Sequence, residues 1–247
     1  MAVPQTLHDF GSAGRALVVG ARRAVGVPSI VLGGSFLGFG ALVHQVGLSV
    51  WHALFSTATG WALPGQIALM ELYAVGASIL LIALAVGLTN ARLLPMTVTL
   101  IPLLRAPGVP RWQYYLISHF IAVTGWVGAM RDCPAMVAAQ RLPYYAGYAG
   151  LLWGISLLAT WAGFALAGSV PAYVTLGLVF INPIYFMLVI GTDARTRTRL
   201  LAAVLGAVGG PILYLLVPDW SLLLAGVIAG SLGYLIGSRG GRRGGAP

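Results

Sequence analysis

The sequence predicts an all-α polytopic membrane protein of about eight transmembrane helices, or seven if the first is re-entrant, with broken helices and a hint of an internal repeat. Three observations carry this. Of 247 residues, 59% are hydrophobic and only 8% charged, and the mean hydropathy is +0.91. A soluble domain carries about 25% charged residues, and a soluble fold of this length could not hide so much apolar surface. Apolar runs of roughly 20 residues, the length a spanning helix needs, recur between short polar segments. The 34 glycines suit membrane helices, whose backbones approach closely at small residues.

Taken in order, residues 1–26 form a mildly polar, basic leading segment whose run Ala16–Gly20 is too short to cross. It carries no small-residue cleavage site behind a short apolar core, so the first span is expected to stay as an anchor. That span is 27–45, rich in glycine and followed by the turn Gly47–Leu48–Ser49. The second is 50–70, closed by Glu71. The third is 75–102, interrupted by Asn90, Arg92 and Pro95, and Arg105–Arg111 with its prolines and Gly108 is a loop. The fourth is 113–130, ending at Arg131–Asp132. The fifth to eighth are 148–168, 171–190, 200–217 and 220–237, making 27–237 one transmembrane domain. The Gly/Arg-rich tail 238–247 is expected to be disordered.

All fourteen basic residues are arginines, and the net charge is +9. They are scattered between spans and form no interleaved basic patch, which argues against nucleic-acid binding. With eight spans and the N-terminus inside, eleven arginines fall on cytoplasmic segments, only Arg105 and Arg111 face outward, and Arg92 stays in a span. That bias places both termini in the cytoplasm. The single Cys133 excludes an internal disulfide and a multi-cysteine metal site.

The stretch Phe55–Ile67 holds a proline, two glycines, a glutamine and several hydroxyls inside an apolar run. In a bilayer, such a turn is tolerated only where its backbone faces protein or a water-filled cavity, and broken helices at membrane depth point to transport sites. A second interruption, Asn182–Pro183, stands in the sixth run as a counterpart to Pro64–Gly65. Gln66, Asn90 and Asn182 are neutral polar groups able to bind a ligand or to repair broken backbone. Arg92 costs about 2.5–3.5 kcal/mol at helix-centre depth, so it is expected to grip a carboxylate, clamp free carbonyls, or snorkel to a helix end. Among the histidines, His44 and His52 flank a loop, and His119 is the deeper candidate for a proton relay. Glu71 and Asp132 fall at span ends. The tyrosines and tryptophans near span ends form an interfacial belt. Walker, HExxH and GxSxG motifs and paired carboxylates are absent, so neither an enzyme nor a cofactor or metal site is expected.

Gly47–Leu48–Ser49, then Ala53, then the Trp61–Gln66 break resemble the Gly-Leu-Ser and Tyr-Ala-Gly-Ala-Ser-Gln-Phe region of AzlC-type proteins, the large subunits of bacterial branched-chain amino acid exporters (the LIV-E family). Asn90–Ala91–Arg92 with Thr99–Leu100–Ile101–Pro102 resembles that family's Asn-Leu-Arg-His and Ser-Leu-x-Pro run, and Gly177, Leu178, Pro183 and Phe186 resemble its late Gly-Leu–Pro–Phe segment. Leu93 stands where the family has histidine, and Pro64–Gly65 where it has Ala-Ser; the region of Thr124–Gly125–Trp126 lacks the family's acid. The resemblance implies a secondary-transporter subunit of the bacterial inner membrane that exports branched-chain or other apolar amino acids by alternating access. It implies a proton gradient and a small, four-span AzlD-like membrane subunit as partners. Arg92 would meet the substrate carboxylate, and Gln66, Asn90 and Asn182 the amino group or free backbone. A non-transporting membrane scaffold and a passive channel are the competing classes.

Overall fold

A computed structural model of the chain describes residues 8–167, scattered positions from 169 to 187, and residues 197–217 and 221–241. Regular structure among the described residues is helical, with one isolated bridge between His8 and Met136. The chain divides into two compact units, residues 1–182 and 183–247.

The first unit is organised on a long helix. α1, Ala13–Ala24, is capped by Ser12, whose Oγ accepts from the Arg15 N–H at 3.2 Å. α2, Val27–Gln45, starts beyond Gly26, whose φ of 116° only glycine adopts without strain, so the chain bends there instead of forming one helix. α2 coincides with the expected first span, and its 19 residues reach about 28 Å. Both helices lie on α9, Ala138–Leu166, which begins well before the expected residue 148. A Cβ on Gly20 would strike the Tyr144 carbonyl, and one on Gly147 the Leu17 carbonyl; Gly40 meets Thr160 and Gly163 meets Leu37 in the same reciprocal way. The α1 crossing is near the start of α9 and the α2 crossing near its end. The α1–α2 pair therefore runs along α9 in the same direction, defining an N-terminal end and a far end of the unit.

The expected second span folds back on itself. α3, Val50–Gly60, and α4, Leu63–Ala74, are separated by Trp61–Ala62. Gln66 Nε2 donates to Ser56 Oγ at 3.1 Å and to Thr57 Oγ1 at 3.3 Å. In a continuous helix, ten residues would separate those backbones by about 15 Å, beyond the reach of the two side chains. Trp61 Nε1 donates to Ser156 Oγ at 2.9 Å, and the Thr57 and Thr160 hydroxyls bond at 3.0 Å, so the hairpin tip meets α9 beyond its middle. Pro64 occupies the first turn of α4, where a missing N–H breaks no bond.

α5, Ile79–Asn90, and α6, Leu93–Leu104, form one apolar pair bent by 43° at Ala91–Arg92. Asn90 lies against Gly65 near the hairpin tip, and the Leu103 carbonyl accepts from Arg141 Nη1 at 3.2 Å at the N-terminal end of α9.

The expected fourth span is a second hairpin, entering from the opposite end. α7, Arg111–Ser118, and α8, Val123–Asp132, are about 12 and 15 Å long, each half of a bilayer core of about 30 Å. The two limbs start and finish at the same place. Arg141 bonds the Leu103 carbonyl before the hairpin, and its Nε donates to the Met136 carbonyl after it at 3.1 Å; the Ala106 N–H donates to Tyr114 Oη at 3.0 Å. The tip reaches mid-α9, where the Phe120 carbonyl accepts from Tyr145 Oη at 2.8 Å and the Phe120 ring packs on Trp153, centroids 5.6 Å apart. Two expectations change. Residues 50–70 and 113–130 are each a pair of short helices folded back on one another and not one continuous helix, and Arg105 and Arg111 share the end that holds Arg131 and Arg141. Hydropathy measures the length of an apolar run but carries no direction. Ile117 and Ile121, buried in the core, made limb and tip read as one apolar stretch.

Among the described residues two single helices, α2 and α9, are long and apolar enough to cross a membrane, and the bent α5–α6 pair reaches the same length and hydropathy when its two helices are taken together. Phe36, Phe39, Leu100, Leu104, Tyr144, Tyr145 and Leu152 form the packed interior, whereas Ile79, Leu80, Leu94 and Val98 on the bent pair face outward as lipid-contacting residues do. In the second unit, α10, Arg197–Leu216, and α11, Ser221–Gly241, pack together, with Gly233 against the Ala202 backbone. The helix continues past 237 to Gly241; residues 242–247 of the expected disordered tail lie outside the described residues, as does most of the expected sixth span.

Candidate functional site

The α3–α4 hairpin and α5 enclose a cavity of 680 Å³. Its sides are Trp51, Phe55 and Tyr73, with Leu69, Met70 and Val86 between them. Leu48 and His52 stand toward the far end of the unit, and the Ser49 hydroxyl bonds His52 Nδ1 at 2.7 Å. The polar groups gather deeper, where Thr59 and Gly60 end α3, Gly65 and Gln66 begin α4, and Asn90 ends α5.

Gly65 is what brings Asn90 in. A Cβ there would lie 2.5 Å from Asn90 Oδ1 and 2.8 Å from Nδ2, so only glycine lets the amide rest on the first turn of α4. Gln66 is 4% exposed; its Nε2 is spent on Ser56 and Thr57, and its Oε1 has no hydrogen-bond partner. Asn90 Oδ1 is likewise buried and unpartnered. Each such acceptor costs about 1–3 kcal/mol. Two of them beside one helix break, in a cavity walled by aromatic and aliphatic groups, form a site for a hydrogen-bond donor on an apolar body. The first turn of α4 has no side-chain cap; Pro64 has no N–H and the Gln66 N–H donates to the Ala62 carbonyl at 3.1 Å, so the Leu63 and Gly65 N–H groups and the positive dipole end are what this turn offers an anionic group next to those acceptors.

Of the residues singled out from sequence, Gly65, Gln66 and Asn90 come together here, and Pro64 shapes the turn beside them without lining the cavity. Arg92, two residues beyond Asn90, is exposed at the α5–α6 bend and is not part of the lining. Asn182 and Pro183 lie outside the described residues. His119 sits at the tip of the α7–α8 hairpin, and its Nε2–H donates to the Ala58 carbonyl at 2.8 Å, which also accepts from Trp153 Nε1 at 3.3 Å. Those two donors satisfy a carbonyl freed by the end of α3. His44 packs edge-on against Phe164, centroids 4.9 Å apart. Asp132 is more than a solvated boundary residue: it accepts from Tyr144 Oη at 2.6 Å and from Arg131 Nε at 2.8 Å. Among the described residues, no three His, Cys, Asp or Glu side chains converge as metal ligands.

Sequence reasoning missed the cavity walls. Trp51, Phe55, Leu69 and Tyr73 recur at helical spacing, and only the fold-back at Trp61–Ala62 turns two such faces toward each other. The available signal was the cluster Ser56, Thr57 and Thr59, hydroxyls one turn before the break.

No curated protein and no solved structure matches the chain. A family model described as AzlC protein matches residues 29–170, more than half of the 247, a stretch that includes every residue lining the cavity. The chain therefore belongs to the AzlC protein family and is a membrane protein of a transport-associated family.

Proposed function

We propose that the protein is the large subunit of a secondary transporter that exports branched-chain or other apolar amino acids, with the cavity between the α3–α4 hairpin and α5 as its substrate site. The observation that carries this is the pair of unpartnered buried oxygens, Gln66 Oε1 and Asn90 Oδ1, set around Gly65 at a helix break. The substrate ammonium donates to those oxygens. Its carboxylate lies on the uncapped first turn of α4, a role first expected of Arg92. Its side chain lies against Trp51, Phe55, Leu69 and Val86. The unit places Arg15, Arg22, Arg23, Arg105, Arg111, Arg131 and Arg141 toward one end, which we assign to the cytoplasm of a bacterial inner-membrane protein. Residues 27–166 then comprise three crossings and two re-entrant hairpins, and with the runs 171–190, 200–217 and 220–237 read from the sequence as spans, both termini are cytoplasmic. A small four-span AzlD-like subunit is the expected partner and a proton gradient the expected drive.

The test is counterflow of labelled leucine in proteoliposomes carrying the protein with and without the small subunit. Saturable exchange that is lost in Gln66→Met and kept in Arg92→Lys supports the assignment. Exchange unchanged in Gln66→Met removes this site from the path, and flux that never saturates supports a passive channel.

A further inference from the structure

We infer that the α7–α8 hairpin is the inner gate of this path, latched shut at its tip by His119 and Tyr145, and that the structure is the conformation closed toward the arginine-rich end. The inference rests on the transport reading for its meaning, but not for its test. The cavity is lined from Leu48 and Trp51, near the far end, down to Gly65 and Asn90. Beyond that floor, toward the arginine-rich end, the chain is closed: Leu100, Leu104, Ile121 and Cys133 are at most 3% exposed. They belong to α6, the hairpin tip and the turn after α8.

The two hairpins enter from opposite ends and meet where both break. His119 Nε2–H crosses to the Ala58 carbonyl at 2.8 Å, tying the tip of the lower hairpin to the last turn of α3. One residue on, the Phe120 carbonyl accepts from Tyr145 Oη on α9 at 2.8 Å. Both bonds are single side-chain contacts to carbonyls that a helix interior would have used, so releasing them breaks no helix. The outer limb, α7, is lightly held as well. α7 is only eight residues long, and Ile117 is its one buried residue. The loop before it holds Pro107, Gly108 at φ 80° and Pro110, and the turn after α8 holds Pro134. Those segments bound a short rigid pair at two hinges, the arrangement in which a few positions absorb the backbone change. On the face toward α9, Gly125 and Gly128 lie on the Tyr145 and Tyr148 rings without side chains of their own to interlock.

Site-directed labelling tests this without any substrate. In a Cys133→Ala background, Phe55→Cys places one thiol on the cavity wall. A membrane-impermeant maleimide is applied from each face of oriented vesicles. The expected result is rapid labelling from the arginine-free face and slow labelling from the arginine-rich face. Adding His119→Ala or, independently, Tyr145→Phe should raise the slow rate by about two- to tenfold, the population change that one net hydrogen bond commands. Tyr145→Phe keeps the ring, so it covers the case in which His119→Ala does not fold, and size-exclusion profiles report folding for both. Unchanged labelling from the arginine-rich face in folded latch variants overturns the gate. So does equal labelling from both faces in the parent. A leucine-dependent rise in melting temperature that persists alongside unchanged labelling would leave the transport reading standing and sink the gate alone.

Discussion

Gln66→Met separates a binding residue from a packing residue. Methionine keeps the length and volume of glutamine and removes its polar end. Two hydrogen bonds from Nε2, to Ser56 and Thr57, are lost, at about 0.5–1.5 kcal/mol each. The same change removes Oε1, a buried acceptor with no partner, whose burial costs about 1–3 kcal/mol. The terms oppose each other and are of equal size, so the ligand-free protein should unfold within about 2 kcal/mol of wild type. Binding has no such compensation. A hydrogen bond to a charged ammonium is worth about 1.5–3 kcal/mol, so affinity should fall by roughly 10- to 150-fold. The assay is thermal unfolding of the detergent-solubilised protein across a leucine titration, since stabilisation grows with the logarithm of ligand over Kd. A variant that melts several kcal/mol lower yet keeps its leucine dependence would refute this reasoning and make Gln66 a structural clamp on the hairpin.

Further outcomes follow from other parts of the unit. Gly163→Ala drives a Cβ into the Leu37 carbonyl and should cost about 1–3 kcal/mol by prising α2 from α9, whereas Gly150→Ala, with nothing within 4 Å, should melt at or above the wild-type temperature; equal melting of the two would contradict the close crossing. Arg141→Lys cannot span the Leu103 and Met136 carbonyls with one fork, so protease sensitivity of the 105–110 loop should rise; an unaltered digest would mean the two bonds do not hold the hairpin base. The Gly11 N–H, and after it Gln140, hold the Asp9 carboxyl below the usual carboxylate range. A lowered folded pKa gives stability that is complete above the unfolded value of about 3.9 and is lost as pH falls through the folded one. Amide protection of Phe10 and Gly11, corrected for intrinsic exchange, should therefore be present at pH 6 and decline below about pH 4; equal protection at pH 3 and pH 6 would count against it.

Much of the candidate site was legible because its chemistry violates its surroundings. Pro64, Gly65, Gln66 and Asn90 are polar or helix-breaking residues in apolar runs, and each proved to stand at a break. The glycines of α2 announced close packing without naming the partner, because Gly40 finds Thr160 through a contact 120 residues away in the chain. Direction was not legible. An apolar run alone does not say whether the chain continues or turns back at Trp61–Ala62, and the difference lies in Gln66 reaching Ser56 and Thr57. The tip of the second hairpin carries no glycine or proline at 119–122, so no turn signal marked it. Arg92 was less legible: a charge in an apolar run reads equally as a ligand for a carboxylate, a clamp on free carbonyls or a snorkelling residue, and it stands exposed at the α5–α6 bend outside the cavity lining.

The central claim, that two amide oxygens at a helix break receive a substrate ammonium, is tested most directly by comparing leucine with 2-hydroxyisocaproate, which replaces only the ammonium by a hydroxyl. Measured as stabilisation of the purified protein together with its small subunit, the account predicts a saturable rise with leucine, and a rise with the hydroxy acid only at roughly 10- to 150-fold higher concentration. Equal stabilisation by both compounds, or a flat response to leucine from folded protein, would contradict it.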